Sequence, residues 1–279
     1  MKIAVLSGKG GAGKTLVSVN LAYVAGETTY IDCDVEEPNG HLFFQPREVH
    51  KKNITVKIPK IHKDLCNSCK KCVDFCKFNA LAFVKDKPLV FDEICHSCGG
   101  CLLVCPQKAI TEEEKVIGRI EKGKSGDVEV FTGILNTGEP VGVPIINALL
   151  KEGESNKEMT IIDCPPGSSC SVMESIEGAD YCILVAEPTI FGTHNLKMVY
   201  ELVKLFNKAF GVVLNKSTGG ENPAEKFCLE NDINIIGEIP YDNHLGSLNS
   251  DGKIVAKEDK KYYEIFSSIL DMVFEEVGQ

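Results

Sequence analysis

Apolar residues in this chain gather into short, nearly continuous runs rather than alternating ones: Ile3 to Leu6, Thr28 to Asp34, Met159 to Asp163, Tyr181 to Ala186, Ala209 to Leu214 and Ile235 to Asp242. Runs of this kind suit strands buried on both faces, as in a parallel sheet. Between them lie segments with helical spacing: Thr15 to Ala25, Pro144 to Leu150 and His194 to Asn207. Near the end, Tyr262, Ile265, Phe266, Ile269, Leu270, Val273 and Val277 recur on one helical face. Asp271, Glu275 and Glu276 surround that stripe, so it reads as a helix packed on the sheet rather than one lying on a membrane. From Val116 to Lys151 the pattern gives only short strands, Gly118 to Glu121 and Glu129 to Phe131, before the Pro144 helix. A polar loop is expected from Lys151 to Lys157. The predicted fold class is α/β, a mostly parallel sheet covered by helices on both faces.

Composition narrows the setting. The chain has 279 residues, 43% of them hydrophobic, enough for one large α/β core and a small additional module. No apolar run reaches the length of a membrane span, and the N-terminus opens on a core strand, so no signal peptide is expected. Thirteen cysteines would suggest a disulfide scaffold in a secreted protein, but most stand at metal-ligand spacing, which points to the cytosol. A formal charge of −10 argues against bulk binding to nucleic acid or anionic membrane.

The first candidate chemistry lies between the first strand and the first helix. Gly8-x4-Gly13-Lys14-Thr15 has the spacing of a phosphate loop. The backbone from Gly8 through Gly10, Gly11, Ala12 and Gly13 would wrap phosphate oxygens, Lys14 would reach the β/γ oxygens, and the Thr15 hydroxyl would bind Mg²⁺. Strand, loop, helix and strand form a right-handed βαβ unit, so ligands should collect at the C-terminal ends of the strands, beside Asp34.

Lys9 makes the match more specific. Lys9-Gly10-Gly11-Ala12-Gly13-Lys14-Thr15 resembles the deviant Walker A loop of the MinD/ParA/nitrogenase-iron-protein class of P-loop ATPases. The resemblance implies that Lys9 crosses a dimer interface and stabilises charge on the partner's nucleotide, as an arginine finger does. It implies that Asp34 orients or activates the attacking water, with Asp32 either structural or a partner to the Mg²⁺ shell. Asp163-Cys164-Pro165-Pro166-Gly167 resembles the Walker B strand end and switch II turn. By that likeness Asp163 supports Mg²⁺ through water and the Gly167 N–H senses the γ-phosphate. Asn215 stands where the class contacts adenine, although a strand-end turn residue is an equal reading. Cys170 lies at the spacing at which nitrogenase iron protein binds a cluster shared between subunits; it reads either as a speculative interface ligand or as a small hydrophobe. Cys33, Cys164, Cys182 and Cys228 read as packing residues.

After Pro59 the composition changes. Cys66-x2-Cys69-x2-Cys72-x3-Cys76 is followed at a constant offset by Cys95-x2-Cys98-x2-Cys101-x3-Cys105-Pro106, an internal repeat. This resembles a bacterial-type two-cluster ferredoxin. The resemblance implies crossed ligation: Cys66, Cys69, Cys72 and Cys105 on one [4Fe–4S] cluster, and Cys95, Cys98, Cys101 and Cys76 on the other. Structural zinc is the alternative, although zinc modules usually present separated Cys-x2-Cys pairs. Lys77 replaces the proline usual after Cys76, and His96 reads as a loop residue. Leu65, Val73, Phe75, Phe78, Leu81, Phe83, Val90, Phe91, Ile94, Leu102, Val104 and Ile110 are expected to cover the clusters in a module too small for an ordinary core.

The expected organisation is therefore a MinD/ParA-like ATPase, residues 1–58 and 113–279, with an inserted ferredoxin module at 59–112. The combination is identified as a member of the MinD-superfamily ATPases that contain an inserted ferredoxin domain. The implied activity is Mg-dependent ATP hydrolysis, with ATP, Mg²⁺ and two [4Fe–4S] clusters as cofactors. ATP would bring two copies, or this chain and a paralogue, into a dimer that gates electron transfer or metallocluster assembly toward a redox or metalloprotein partner. A carrier or scaffold delivering a metal centre to an apo-target is the alternative. A surface-positioning ATPase and a cobyrinate-type amide ligase rank below both, and neither nucleic-acid binding nor stable membrane attachment is expected.

Overall fold

The computed structural model describes residues 1–154 and 157–278. In chain order the elements are β1 (Lys2–Leu6), α1 (Lys14–Val24), β2 (Thr28–Asp32), α2 (Gly40–Phe44), β3 (Arg47–Ile61), α3 (Lys71–Phe75), β4 (Leu81–Val84), β5 (Lys87–Val90), α4 (Gly100–Leu103), β6 (Ile110–Ser125) and β7 (Val128–Leu135). They continue with α5 (Val143–Glu152), β8 (Met159–Asp163), α6 (Cys170–Glu177), β9 (Tyr181–Ala186), α7 (Ile190–Leu205), β10 (Ala209–Ser217), α8 (Pro223–Glu230), β11 (Ile235–Pro240), α9 (Asn243–Ser250), α10 (Val255–Glu258) and α11 (Lys260–Val277).

One nine-stranded sheet runs in the order β11-β10-β9-β1-β8-β2-β7-β6-β3. From β11 to β7 every neighbour is parallel, and β6 and β3 close that edge antiparallel. The apolar runs are continuous because both faces are covered. Ala4 and Leu6 of β1 enter a core with α5 to α8, while Ile3 and Val5 enter a second core with α1 and α9 to α11. The final amphipathic stretch is α11, with Tyr262, Phe266, Ile269, Leu270 and Val273 buried on the sheet. Among the described residues no helix is long and apolar enough to cross a membrane.

Two expectations are corrected, the short strands and the polar loop. The short strands expected between Val116 and Phe131 are parts of much longer ones: β6 spans sixteen residues and pairs with the fifteen of β3. Along this ribbon a few buried residues, Ile54, Ile58 and Ile110, stand among exposed charge pairs such as Lys57–Glu112 and Lys60–Glu113, so hydrophobic periodicity does not reveal it. The two expected domain borders, after 58 and after 112, both fall within this ribbon. Of the polar loop expected over 151–157, α5 takes the first two residues, and residues 155 and 156 lie outside the described residues.

The ribbon carries the cysteine repeat at its far end. Cys72, Leu81, Cys101 and Ile110 make a small core there, with Val73, Val90 and Leu102 against it. Leu65, Phe75, Phe78, Phe91 and Ile94 are exposed on this small module, and Phe75 and Phe78 line a recess beside Cys76 and Cys101.

Candidate nucleotide site and cysteine module

The turn from β1 into α1 is held open by backbone geometry. Gly11 and Gly13 have φ of 82° and 97°, a region that favours glycine, and a Cβ at residue 13 would lie 2.0 Å from Asn215 Nδ2. Asn215 is buried at the end of β10, donates to the Ala12 carbonyl at 2.8 Å and accepts from the Lys216 N–H. Its side chain thus braces the loop. Gly167 N–H donates to the Ser7 carbonyl at 2.9 Å, tying the turn after β8 to the start of the loop.

Lys14, Asp32, Asp34 and Asp163 converge because β1, β2 and β8 are adjacent and parallel, so their C-terminal ends meet. Lys14 Nζ donates to Asp163 Oδ1 at 2.6 Å and lies 3.5 Å from Asp34 Oδ2. Burial pulls the ammonium down, but Asp163, Asp34 and Asp32 outweigh it and leave Lys14 above the ordinary lysine range. Burial, followed by the Asp163 charge, pushes Asp32 up to about 7. Burial also raises Asp34, with Lys14 opposing it. Asp32 accepts backbone N–H groups from Asp34, Asn39 and Gly40, at 3.2, 3.0 and 2.9 Å. It shapes the loop after β2, whereas Asp34 is the acid that faces Lys14.

Lys9 lies on the outer side of the loop and pairs with Glu187 Oε2 at 2.6 Å. Lys216 Nζ holds the other Glu187 oxygen at 2.6 Å and donates to the Gly11 carbonyl at 2.9 Å. Burial opposes ionisation of Glu187, but hydrogen bonds from Lys216 and Lys9 prevail and lower its pKa. Sequence reasoning missed Glu187 as a site residue, because no local pattern links the end of β9 to the loop. The cleft above the loop is lined by Lys9, Gly10, Gly11, Gly13, Lys14, Thr15, Asp34, Asn215, Lys216, Tyr241 and Asp242. Oxygen donors on Thr15, Asp34 and Asp163 beside a loop of backbone N–H groups suit Mg²⁺ and polyphosphate.

In the ribbon-end module two recesses open. One is lined by Cys76, Cys95, Cys98 and Cys101, the other by Cys66, Cys69, Cys72 and Cys105. Each draws three cysteines from one run and one from the other. The repeat extends to the backbone. Positive φ recurs at Ser68 and Ser97, Lys70 and Gly99, and Asn79 and Lys108, the same steps in each half. Ala80 N–H donates to Cys76 Sγ and Ala109 N–H to Cys105 Sγ, both at 3.3 Å. Among the described residues no group of three His, Cys, Asp or Glu side chains converges on a single metal ion. Two sets of four thiols facing separate recesses, with N–H donors already directed at sulfur, are a donor set that fits iron–sulfur clusters.

Cys170, the first residue of α6, is exposed. Cys33, Cys164, Cys182 and Cys228 are buried, as expected of packing residues. Burial pushes the Cys182 thiol up to about 12 and that of Cys228 up to about 11, so both remain protonated.

The CobQ/CobB/MinD/ParA nucleotide binding domain family matches residues 3–255, and its span includes the loop, the acid cluster and the ribbon. The chain belongs to this family. An uncharacterized protein of Methanocaldococcus jannaschii is 32% identical over 281 residues, covering 99% of this chain and 97% of its own. A second uncharacterized protein of the same organism is also 32% identical, over 77% of this chain and 80% of its own. Among solved structures, the septum site-determining protein MinD complexed with Mg-ADP from Pyrococcus horikoshii superposes with a TM-score of 0.61 at 18% identity. It covers 98% of this chain and 95% of that one, a likeness of fold. The family and the loop geometry together make this chain a nucleotide-binding P-loop protein.

Proposed function

We propose that this protein hydrolyses Mg-ATP as a switch and applies that switch to an iron–sulfur module, in electron transfer or metallocluster assembly. In this reading Lys14 and the loop N–H groups hold the phosphates, and Thr15 and Asp163 serve the Mg²⁺ side. Asp34 orients the attacking water, Gly167 responds to the γ-phosphate, Lys9 leaves Glu187 to act across a dimer, and Asn215 holds the loop from the adenine side. The eight cysteines would hold two [4Fe–4S] clusters in the crossed sets, which supply one-electron chemistry when bound.

The observation that carries the proposal is that two recesses, each with four cysteines drawn from both halves of the repeat, sit at the end of a ribbon rooted beside the Asp34 loop. Leu135 N–H donates to the Val35 carbonyl, one residue past Asp34, at 2.8 Å. Asn136 then binds the Ile117 and Val116 carbonyls of β6. Lys115 of the same strand pairs with Glu139 at 2.9 Å and with Asp92 at 3.2 Å, and the Asp92 carbonyl accepts from the Cys95 N–H. Contiguous contacts therefore run from the acid loop to a cysteine of the module.

The dimer would form from two copies or with a paralogue, and one relative's organism carrying two such chains favours considering both. The carrier reading is favoured by the exposure of Cys170 beside the turn after β8, and Cys170→Ala should then abolish cluster delivery while sparing ATPase activity. The deciding experiment is anaerobic. Protein reconstituted with iron and sulfide is examined by EPR after reduction and by light scattering, with and without Mg-AMPPNP. Signals of two [4Fe–4S] clusters that change as the mass doubles are the expected result. Absence of clusters, or mass and spectra indifferent to nucleotide, would sink the proposal.

A further inference from the structure

The two oxygens of Asp163 have different partners. Oδ1 accepts from Lys14 Nζ at 2.6 Å, whereas Oδ2 accepts from the Tyr30 hydroxyl at 3.0 Å. Tyr30 lies in β2, whose register places Asp32 opposite Asp163 and Tyr30 opposite Ile161. Residues 30 and 32 share one face of the strand, so the ring lies along the sheet surface toward the acid cluster.

The ring is fixed on two sides. It is fully buried, packs at 53° on Phe44 with centroids 4.9 Å apart, and is met by the backbone of Gly40, where a Cβ would stand 2.4 Å from the hydroxyl oxygen. Gly40 in turn donates its N–H to Asp32 Oδ2 at 2.9 Å. The hydroxyl oxygen is therefore held in place by packing that the fold already requires, with Asp163 and Ser18 as its polar neighbours. Burial and the neighbouring Asp163 raise its pKa, so it stays protonated and remains a donor at every physiological pH.

We propose that Tyr30 is a positioning residue for Asp163: by holding Oδ2 it fixes the carboxylate plane and leaves Oδ1, the oxygen beside the phosphate-loop lysine, as the one presented to the Mg²⁺ side of the site. This rests on the Mg-nucleotide reading given above. A carboxylate held by one oxygen keeps its orientation when Lys14 turns to phosphate; a carboxylate held by neither is free to rotate or to capture Lys14 with both oxygens. The role needs a buried donor at that place in β2, and phenylalanine would fill the same volume without donating.

The test separates metal affinity from nucleotide affinity in the full chain. Wild type, Tyr30→Phe and Gly40→Ala are titrated with a fluorescent ATP analogue in EDTA, and Mg²⁺ is then titrated at fixed nucleotide. Loss of an outer-sphere partner to a metal-supporting group costs roughly tenfold or more in metal affinity. The expected result is a roughly tenfold rise in the Mg²⁺ concentration for half-saturation in Tyr30→Phe, with nucleotide affinity in EDTA within about twofold of wild type. Gly40→Ala, which pushes the hydroxyl from the opposite side, should move the Mg²⁺ midpoint in the same direction. Unchanged Mg²⁺ midpoints in both variants would overturn the proposal. So would equal losses of nucleotide binding with and without Mg²⁺, which would make Tyr30 a residue of the fold alone. A wild-type protein that binds nucleotide no better with Mg²⁺ than without it would overturn the Mg-nucleotide reading itself, and this inference with it.

Discussion

Lys14 is nearly excluded from solvent, with Asp163 2.6 Å from its ammonium, Asp34 at 3.5 Å and Asp32 close behind. Lys14→Ala removes the cation and leaves two buried carboxylates, Asp32 and Asp163, facing each other and the half-buried Asp34. Breaking a buried pair by deleting one partner costs about 3–5 kcal/mol, so the variant should lose stability as well as nucleotide binding. Urea unfolding of wild type and variant checks this, and an unchanged midpoint would mean that the carboxylates shed their charge instead. Asp32 gives the pH dependence. Its carboxyl is raised from 3.8 to about 7, so between those values the folded state holds a proton that the unfolded chain has released. Its contribution is fully present below 3.8 and is lost as pH rises toward about 7. Urea midpoints should therefore fall from about pH 4 to about pH 7, and Asp32→Asn should flatten that slope; an undiminished fall in the variant would contradict the assignment.

At the scale of elements, the β3–β6 ribbon is the path along which the proposed nucleotide switch would reach the cysteine module. Lys115 is mostly buried and ties the Asp92 turn to Glu139, so Lys115→Met should free that turn without touching the phosphate loop. A hydrogen bond to a charged group contributes about 1.5–3 kcal/mol, so amide exchange across residues 92–95 should quicken by about tenfold or more. Hydrogen exchange with and without Mg-AMPPNP reads both effects. Protection that rises with nucleotide in wild type and not in the variant is the expected pattern. Equal responses would show that the nucleotide signal reaches the module by another route, or not at all. The strands at the centre of the sheet were legible because burial on both faces writes itself as consecutive apolar residues. The ribbon was not, since Lys51, Lys57 and Lys60 pair with Glu121, Glu112 and Glu113 across it, and charge pairs between distant segments leave no period in either.

For the whole molecule, the decisive residue is Lys9, parked on Glu187 in a single chain and expected to act on a second. If it stabilises transferred charge as an arginine finger does, Lys9→Ala should lower ATP turnover by about 10³-fold or more while leaving nucleotide affinity nearly intact. Phosphate release measured at saturating ATP tests this, and near-normal turnover would confine Lys9 to the loop surface. Glu187→Gln keeps the side chain but weakens its hold on Lys9, so Mg-AMPPNP should drive dimer formation at lower protein concentration in that variant, as seen by light scattering.

The sequence alone determined what depends on neighbours in the chain. The glycines and lysines of residues 8–15 shape a turn by their own backbone freedom and charge, the apolar runs choose a covered parallel sheet, and the two cysteine runs carry their spacing within a few residues each. Tertiary structure decided what depends on residues far apart. Tyr30 and Lys14 each reach Asp163 more than a hundred positions away, Glu187 and Lys216 close over the loop from separate strands, and each cysteine recess is completed by a residue from the other half of the repeat. Strand order brings those groups together, and strand order is a choice among ways of burying the same apolar runs, which no short stretch of sequence specifies.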